Sequence, residues 1–187
     1  MQPVDAWAMG VALDEARRAL LTGDVPVGAV VVAPGAHVVG WGHNAREDEA
    51  DPTAHAEIVA LRDAAKNLGR WHLDECTLVV TLEPCLMCAG AALLSHVRRV
   101  VFGAWDPKAG AAGSQWDVIR DRRATARIEV VGGVRAEESA LLRVEALVAR
   151  GDRSTAERVA APYLRGNDTS PIARRMRALL ESPNGAP

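Results

Sequence analysis

Residues 77–103 read TLVVTLEPCLMCAGAALLSHVRRVVFG, and the order of residue types along them decides the fold class. Residues 77–81 and 99–103 are β-branched and apolar runs of strand length. Between them, residues 85–95 are rich in Ala and Leu and follow Pro84, which suits a helix start because the first-turn N–H it lacks has no intrahelical partner anyway. Strand and helix therefore alternate through the middle of the chain, which predicts α/β layers.

Upstream, Met9, Ala12, Leu13, Ala16 and Leu20 recur at helical spacing, with Asp14, Glu15, Arg17 and Arg18 on the other side. This first helix stops at Gly23. Residues 27–33 and 37–41, separated by Pro34-Gly35, read as an antiparallel hairpin, and the polar residues 43–52 as a loop. Ile58, Leu61, Ala65 and Leu68 line a second helix that starts near Thr53, with Asp51 or Thr53 as its cap and Gly69 as its stop. Downstream, residues 128–131 form a fifth strand, Gly132-Gly133 a turn and residues 137–149 a helix. Residues 1–149 are expected to be one domain. Residues 150–187, rich in Pro and Gly, are expected to be a partly disordered tail with at most one short helix, 172–180, whose Arg174, Arg175 and Arg177 are basic.

A chain of 187 residues buries a real core but is short for two domains and a linker. With 49% apolar and only 4% aromatic residues, Ala, Val and Leu must supply most of the core volume. The formal net charge of -2 gives the whole molecule no attraction to a polyanion, so any nucleic-acid contact must come from a local basic patch. Three cysteines, two of them in Cys-x-x-Cys, fit a reducing compartment and a metal or redox role better than a disulfide framework. Residues 1–10 lack the basic start and apolar run of a secretory signal. The most apolar stretch, 25–42, is broken by Pro26, Gly28, Pro34, Gly35 and His37. No membrane span is expected from it, and the expected location is the cytoplasm.

Four side chains carry the chemistry. Cys85 and Cys88, three residues apart, share a face of the first turn of a helix, where the helix dipole and free N–H groups favour thiolates. With His55 they make three ligands for a zinc ion and leave the fourth tetrahedral position to water, as in a catalytic rather than a structural site. Such a metal lowers the pKa of water from ~16 toward ~7. Glu57 stands two residues from His55, about 200° around a helix, and so is free to carry protons. A closed structural site completed by Cys76 is the rival arrangement. It is disfavoured because the strand 77–81 separates Cys76 from Cys85 by ~17 Å or more, and Cys76 reads as a small core residue.

Together, His-x-Glu and Pro-Cys-x-x-Cys are the known signature of the zinc-dependent base deaminases. Over residues 5 to about 142 the chain resembles the bacterial tRNA-specific adenosine deaminases of the cytidine-deaminase-like superfamily. The likeness rests on Val25-Pro26-Val27-Gly28-Ala29-Val30, Asp51-Pro52-Thr53-Ala54-His55-Ala56-Glu57, Thr81-Leu82-Glu83-Pro84-Cys85-Leu86-Met87-Cys88-Ala89-Gly90-Ala91, Val101-Phe102-Gly103-Ala104 and Gly110-Ala111-Ala112-Gly113-Ser114. The resemblance implies a three-layer α/β fold with a mixed five-stranded sheet flanked by helices. It implies hydrolytic conversion of adenosine to inosine at the wobble position of a tRNA anticodon stem-loop, with one Zn2+ per subunit on His55, Cys85 and Cys88 and with Glu57 as proton shuttle. It further implies that Asn44 hydrogen-bonds the flipped adenine, that Asp106 and Lys108 lie beside the RNA, and that the enzyme is a homodimer. Residues 89–94 offer an apolar seam for that dimer.

A base must be extruded from its stack to be attacked, so aromatic and basic groups are expected near the pocket mouth. Trp105 is a candidate for stacking or for packing. Arg98, Arg99, Lys108, Arg120, Arg122, Arg123 and Arg127 are candidates for a basic rim, diluted by Asp117 and Asp121. Two stretches depart from the family pattern. Ala124-Thr125-Ala126-Arg127 stands where Asn-His-Arg is common, and Arg143-Val144-Glu145-Ala146-Leu147-Val148 stands where paired aromatic and basic residues usually follow. These departures bear on substrate choice. The alternatives are a deaminase of a free nucleobase or nucleoside, such as guanine or cytosine, and a non-catalytic RNA-binding module, against which the intact Glu57 argues.

Overall fold

The computed structural model describes residues 2–124, 126–165 and 169–182, so Thr125 of the first departing stretch and parts of the expected tail lie outside it. Helix α1 (Pro3–Ala19) begins with proline in its first turn, and Asp5 reaches back to accept from the Gln2 backbone N–H at 2.6 Å. It ends in a short 3-10 turn closed by Gly23 at φ 76. Strands β1 (Gly28–Ala33) and β2 (His37–His43) form the expected hairpin, with β2 reaching two residues further than the sequence suggests and a register shift between Val31 and Val32.

Helix α2 (Ala56–Leu68), strand β3 (Thr77–Leu82), helix α3 (Leu86–Leu94), strand β4 (Arg99–Ala104), strand β5 (Glu129–Val131) and helix α4 (Ala136–Ala149) follow in order. The sheet runs β2-β1-β3-β4-β5, with β1 antiparallel to β2 and β3, and β3, β4 and β5 parallel. This is the mixed five-stranded sheet of the cytidine-deaminase-like fold, with helices on both faces. Val27, Val31, Leu78, Val80, Val100 and Phe102 pack against α2 and α3 on one face. Val30, Val32, Val79 and Val101 pack against α1 and Leu142 of α4 on the other. The alternation along each strand supplies both faces with apolar side chains, as a sheet covered on both sides requires.

Glycines set how closely α2 lies on β2. A Cβ on Gly42 would sit 2.4 Å from the Ala56 carbonyl oxygen, and one on Gly40 would sit 2.4 Å from that of Ala60. Only glycine permits this approach, and it fixes the start of α2 over the end of β2.

Beyond Arg150 the structure departs from expectation. Two helices form, α5 (Arg153–Ala160) and α6 (Pro171–Glu181), where at most one is expected. Asp152 caps α5 by accepting from the Thr155 N–H, and Ser170 caps α6 by accepting from the Ala173 N–H. Ala156, Ala160, Met176 and Leu179 are buried against Ala140, Val144 and Val148 of α4 and Ala104 of β4. The α5 pattern of Ala and Val among charged residues is weak alone and becomes helical because α4 offers it a surface. No helix among the described residues is long and apolar enough to cross a membrane.

Candidate active site

The topology brings the start of β1, the ends of β2, β3 and β4, and the N-termini of α2 and α3 to one end of the sheet. The Gly28 N–H donates to Thr81 Oγ1 at 3.2 Å and the Asn44 N–H to the Val27 carbonyl at 2.9 Å, tying these segments together. His55 and Cys85 are the residues just before α2 and α3, both with extended backbone. This corrects the sequence reading. Helix α2 starts at Ala56, His55 occupies the cap position itself, and Asp51 instead accepts from the N–H and Oγ1 of Thr53 in the preceding turn, both at 2.7 Å.

Three ligand atoms face one another here. His55 Nδ1 lies 3.6 Å from Cys85 Sγ and 3.5 Å from Cys88 Sγ, and the two sulfurs are 3.6 Å apart. A tetrahedral zinc, about 2.3 Å from sulfur and about 2.05 Å from nitrogen, has sulfur–sulfur edges of about 3.8 Å and sulfur–nitrogen edges of about 3.6 Å. The triangle is therefore one face of a zinc tetrahedron. These three are the only group of its kind among the described residues. Cys76 is fully buried in the core and takes no part.

The electrostatics of the triangle suit a dication. The hydrogen bond with Cys88, joined by one with His55, outweighs burial and pulls the Cys85 thiol down to about 4. The bond with Cys85 and burial push the Cys88 thiol far up, and the bond with Cys85 raises His55. Protons held on Cys88 and His55 are those a metal displaces on binding. Glu57, in the first turn of α2, is 4% exposed, and burial pushes its carboxyl up to about 7. The groups that act on it are Cys85, His55 and Cys88. A carboxyl that exchanges a proton near neutrality beside a metal position is equipped for general acid–base work.

The other expected site residues are placed unevenly. Asn44 is buried at the end of β2, its Nδ2 donating to Asp24 Oδ1 at 3.2 Å, while the neighbouring Ala45 N–H bonds the Ala54 carbonyl beside His55. Lys108 lines an open cleft of ≈ 490 Å³ together with Cys85, Leu86, Met87, Gln115 and Trp116. Asp106, two residues away, accepts the Lys108 N–H at 3.1 Å. Trp105 packs edge-on against Phe102, centroids 4.7 Å apart. The tryptophan in the cleft is Trp116, which no motif marks.

The basic rim is mostly dispersed. Arg99 is buried and bonded to Asp5 at 3.0 Å and Glu129 at 2.9 Å, at the end of the sheet opposite the metal position. Arg98 and Arg127 lie at that end too, beside the starts of β4 and β5. Arg120 pairs with Asp117 and Arg123 with Asp121. Lys108 alone of the seven lines the cleft.

Comparison with known proteins agrees with this geometry. Residues 3–104 match the family described as the cytidine and deoxycytidylate deaminase zinc-binding region. The tRNA-specific adenosine deaminase of Bacillus subtilis is 47% identical over 134 residues, covering 72% of this chain and 83% of that protein. The tRNA(Ile)-lysidine synthase of Deinococcus deserti is 50% identical over 141 residues, which cover 74% of this chain but only 26% of that protein. A solved structure from studies of A-to-I editing by tRNA:A34 deaminases at the wobble position superposes with a TM-score of 0.70 at 39% identity. That match covers 73% of this chain and 98% of the other.

Proposed function

Because the chain belongs to the tRNA-specific adenosine deaminases, within the cytidine and deoxycytidylate deaminase zinc-binding family, we propose that it converts adenosine to inosine at the wobble position of a tRNA anticodon. The observation that carries the reading is the tetrahedral face of His55, Cys85 and Cys88 with the buried Glu57 against it. Zinc on that face supplies the Lewis acidity that activates water. The remaining work falls to the chain. Glu57 moves the first proton of the water to the ring nitrogen of the base as the oxygen adds to the ring carbon, then takes the second from the resulting hydroxyl and gives it to the exocyclic amine, which leaves as ammonia. The exocyclic C–N bond breaks as the C–O bond of the product completes, with no change of oxidation state.

Asn44 holds the extruded adenine, its orientation set by Asp24, and Asp106 and Lys108 meet the RNA at the lip of the cleft. An RNA substrate and three free thiols suit a cytoplasmic enzyme. The subunits pair through α3. Leu86, Gly90 and Leu94 form one stripe at intervals of four, with Leu86 51% and Leu94 73% exposed, whereas Ala89 and Ala92 of the expected seam are buried in the core. Leu94→Glu is expected to halve the mass measured by light scattering.

The decisive assay is inosine formation in an anticodon stem-loop carrying adenosine, with wild type and Glu57→Ala compared at equal zinc content. The variant is expected to lose about 10²–10⁴-fold in rate. If zinc-loaded wild type makes no inosine, the tRNA reading is abandoned and free cytosine, guanine and adenine are tested next.

A further inference from the structure

Glu83, between β3 and the Pro84-Cys85 entry to α3, is 2% exposed and lies outside the metal triangle. Every hydrogen bond its carboxylate accepts comes from one stretch of chain. The Asp106 N–H donates to Oε2 at 3.0 Å, the N–H groups of Ala112 and Ser114 donate to Oε1 at 3.0 and 2.9 Å, and Ser114 Oγ donates to Oε2. An ionised carboxylate has about four acceptor sites, and all are taken. The same stretch is held to the metal entry by the Ala111 N–H on the Pro84 carbonyl at 2.8 Å and by a bridge between Gly110 and Cys85. Gly110 must be glycine, since a Cβ there would lie 2.2 Å from Glu83 Oε2.

Burying a carboxylate with no cation beside it is costly, and a loop needing only to be covered would be served by an apolar side chain. What a carboxylate does that apolar groups cannot is gather donors from three separate residues onto one point. The stretch so gathered carries Lys108 to the cleft beside Cys85, with Asp106 holding the Lys108 N–H two residues earlier. We infer that Glu83 is a positioning residue: it fixes the 106–114 segment so that Asp106 and Lys108 meet the substrate in register with the metal position. It acts through that segment and touches neither base nor metal. The inference rests on the RNA-deaminating reading given above.

The test uses the zinc-loaded full chain and the anticodon stem-loop, with KM and kcat measured separately. Glu83→Gln keeps the shape, removes the charge and turns an N–H₂ toward backbone donors. It is expected to retain one zinc per chain, to raise KM about tenfold or more while kcat changes far less, and to speed amide hydrogen exchange across 106–114. Ser114→Ala, which removes one of four donors and keeps the proposal testable should Glu83→Gln fail to fold, is expected to shift KM a few-fold in the same direction. Wild-type KM in both variants, a fall confined to kcat, or loss of zinc in both would overturn the positioning role. Absence of inosine with wild type would instead overturn the substrate reading beneath it.

Discussion

Two charged side chains flank the chain that leaves β4, and the molecule treats them in opposite ways. Glu83, on the motif side, is buried with all its acceptor sites filled. Arg143, on the side of the C-terminal helices, has a buried Nε with no hydrogen-bond partner, and burial lowers its guanidinium against the opposing charge of Asp106. Ser139, one turn earlier in α4, lies directly on Gly103, which places Arg143 over the start of that chain segment, with Tyr163 nearby. The motif side is thus built from satisfied polar groups at fixed positions, and the C-terminal side chiefly from apolar contact, with the Arg143 Nε left unpartnered among the described residues. Polar geometry tolerates little change, whereas an apolar core tolerates substitutions that keep its volume.

The contrast is open to attack by substitution, and the largest effect belongs to the motif side. Cys88→Ala is expected to abolish zinc binding and lower inosine formation by at least about 10³-fold, checked by metal analysis alongside the assay. Met176→Ala, in the C-terminal core, is expected to cost about 2–5 kcal/mol in denaturant unfolding with little change in kcat/KM per folded molecule. A large drop in kcat/KM there would break the comparison by giving α5 and α6 a part in the reaction.

A smaller, pH-dependent loss is expected at the far end of the sheet. Burial alone would raise the Asp5 carboxyl, but its bonds to Arg99 and to the Gln2 N–H hold it below the ordinary value. Its folded pKa is depressed, so its contribution is present above about pH 3.9 and is lost as pH falls through the folded value. Unfolding of Asp5→Asn should accordingly show a weaker acid dependence than wild type between about pH 5 and 2. The smallest effect is expected from Arg143→Met, a gain of about 1 kcal/mol in stability from removing an unpartnered buried Nε. If that variant instead binds the stem-loop more weakly and is no more stable, Arg143 belongs to the RNA surface and the division between the two sides fails.

The metal triangle and its neighbours were legible because their chemistry sits in short contiguous strings. Pro84-Cys85-Leu86-Met87-Cys88 puts one thiol at the cap and one in the first turn of a helix, and His55-Ala56-Glu57 puts an imidazole and a carboxyl on either side of a helix start. The roles of Glu83 and Trp116 were not legible. Glu83 meets partners 23 to 31 residues away, and nothing in the residue types along 105–118 shows which of them will turn toward it. Arg99 shows the reverse error: a basic residue in a strand reads as surface until its partners Asp5 and Glu129, 94 and 30 residues distant, are seen to bury it.

By itself, then, the sequence determined the alternation of strands and helices, the grouping of His55, Cys85 and Cys88 and the place of Glu57 beside them, since periodicity and close spacing act over a few residues and survive any packing. Tertiary structure alone decided that Lys108 lines the cleft while Arg98, Arg99 and Arg127 lie at the opposite end, that Gly40 and Gly42 bring α2 down onto β2, that one carboxylate gathers the 106–114 segment, and that α5 and α6 pack onto α4. Each of those outcomes depends on contacts between residues far apart in the chain, and their energies arise only once the sheet has set the distances between them.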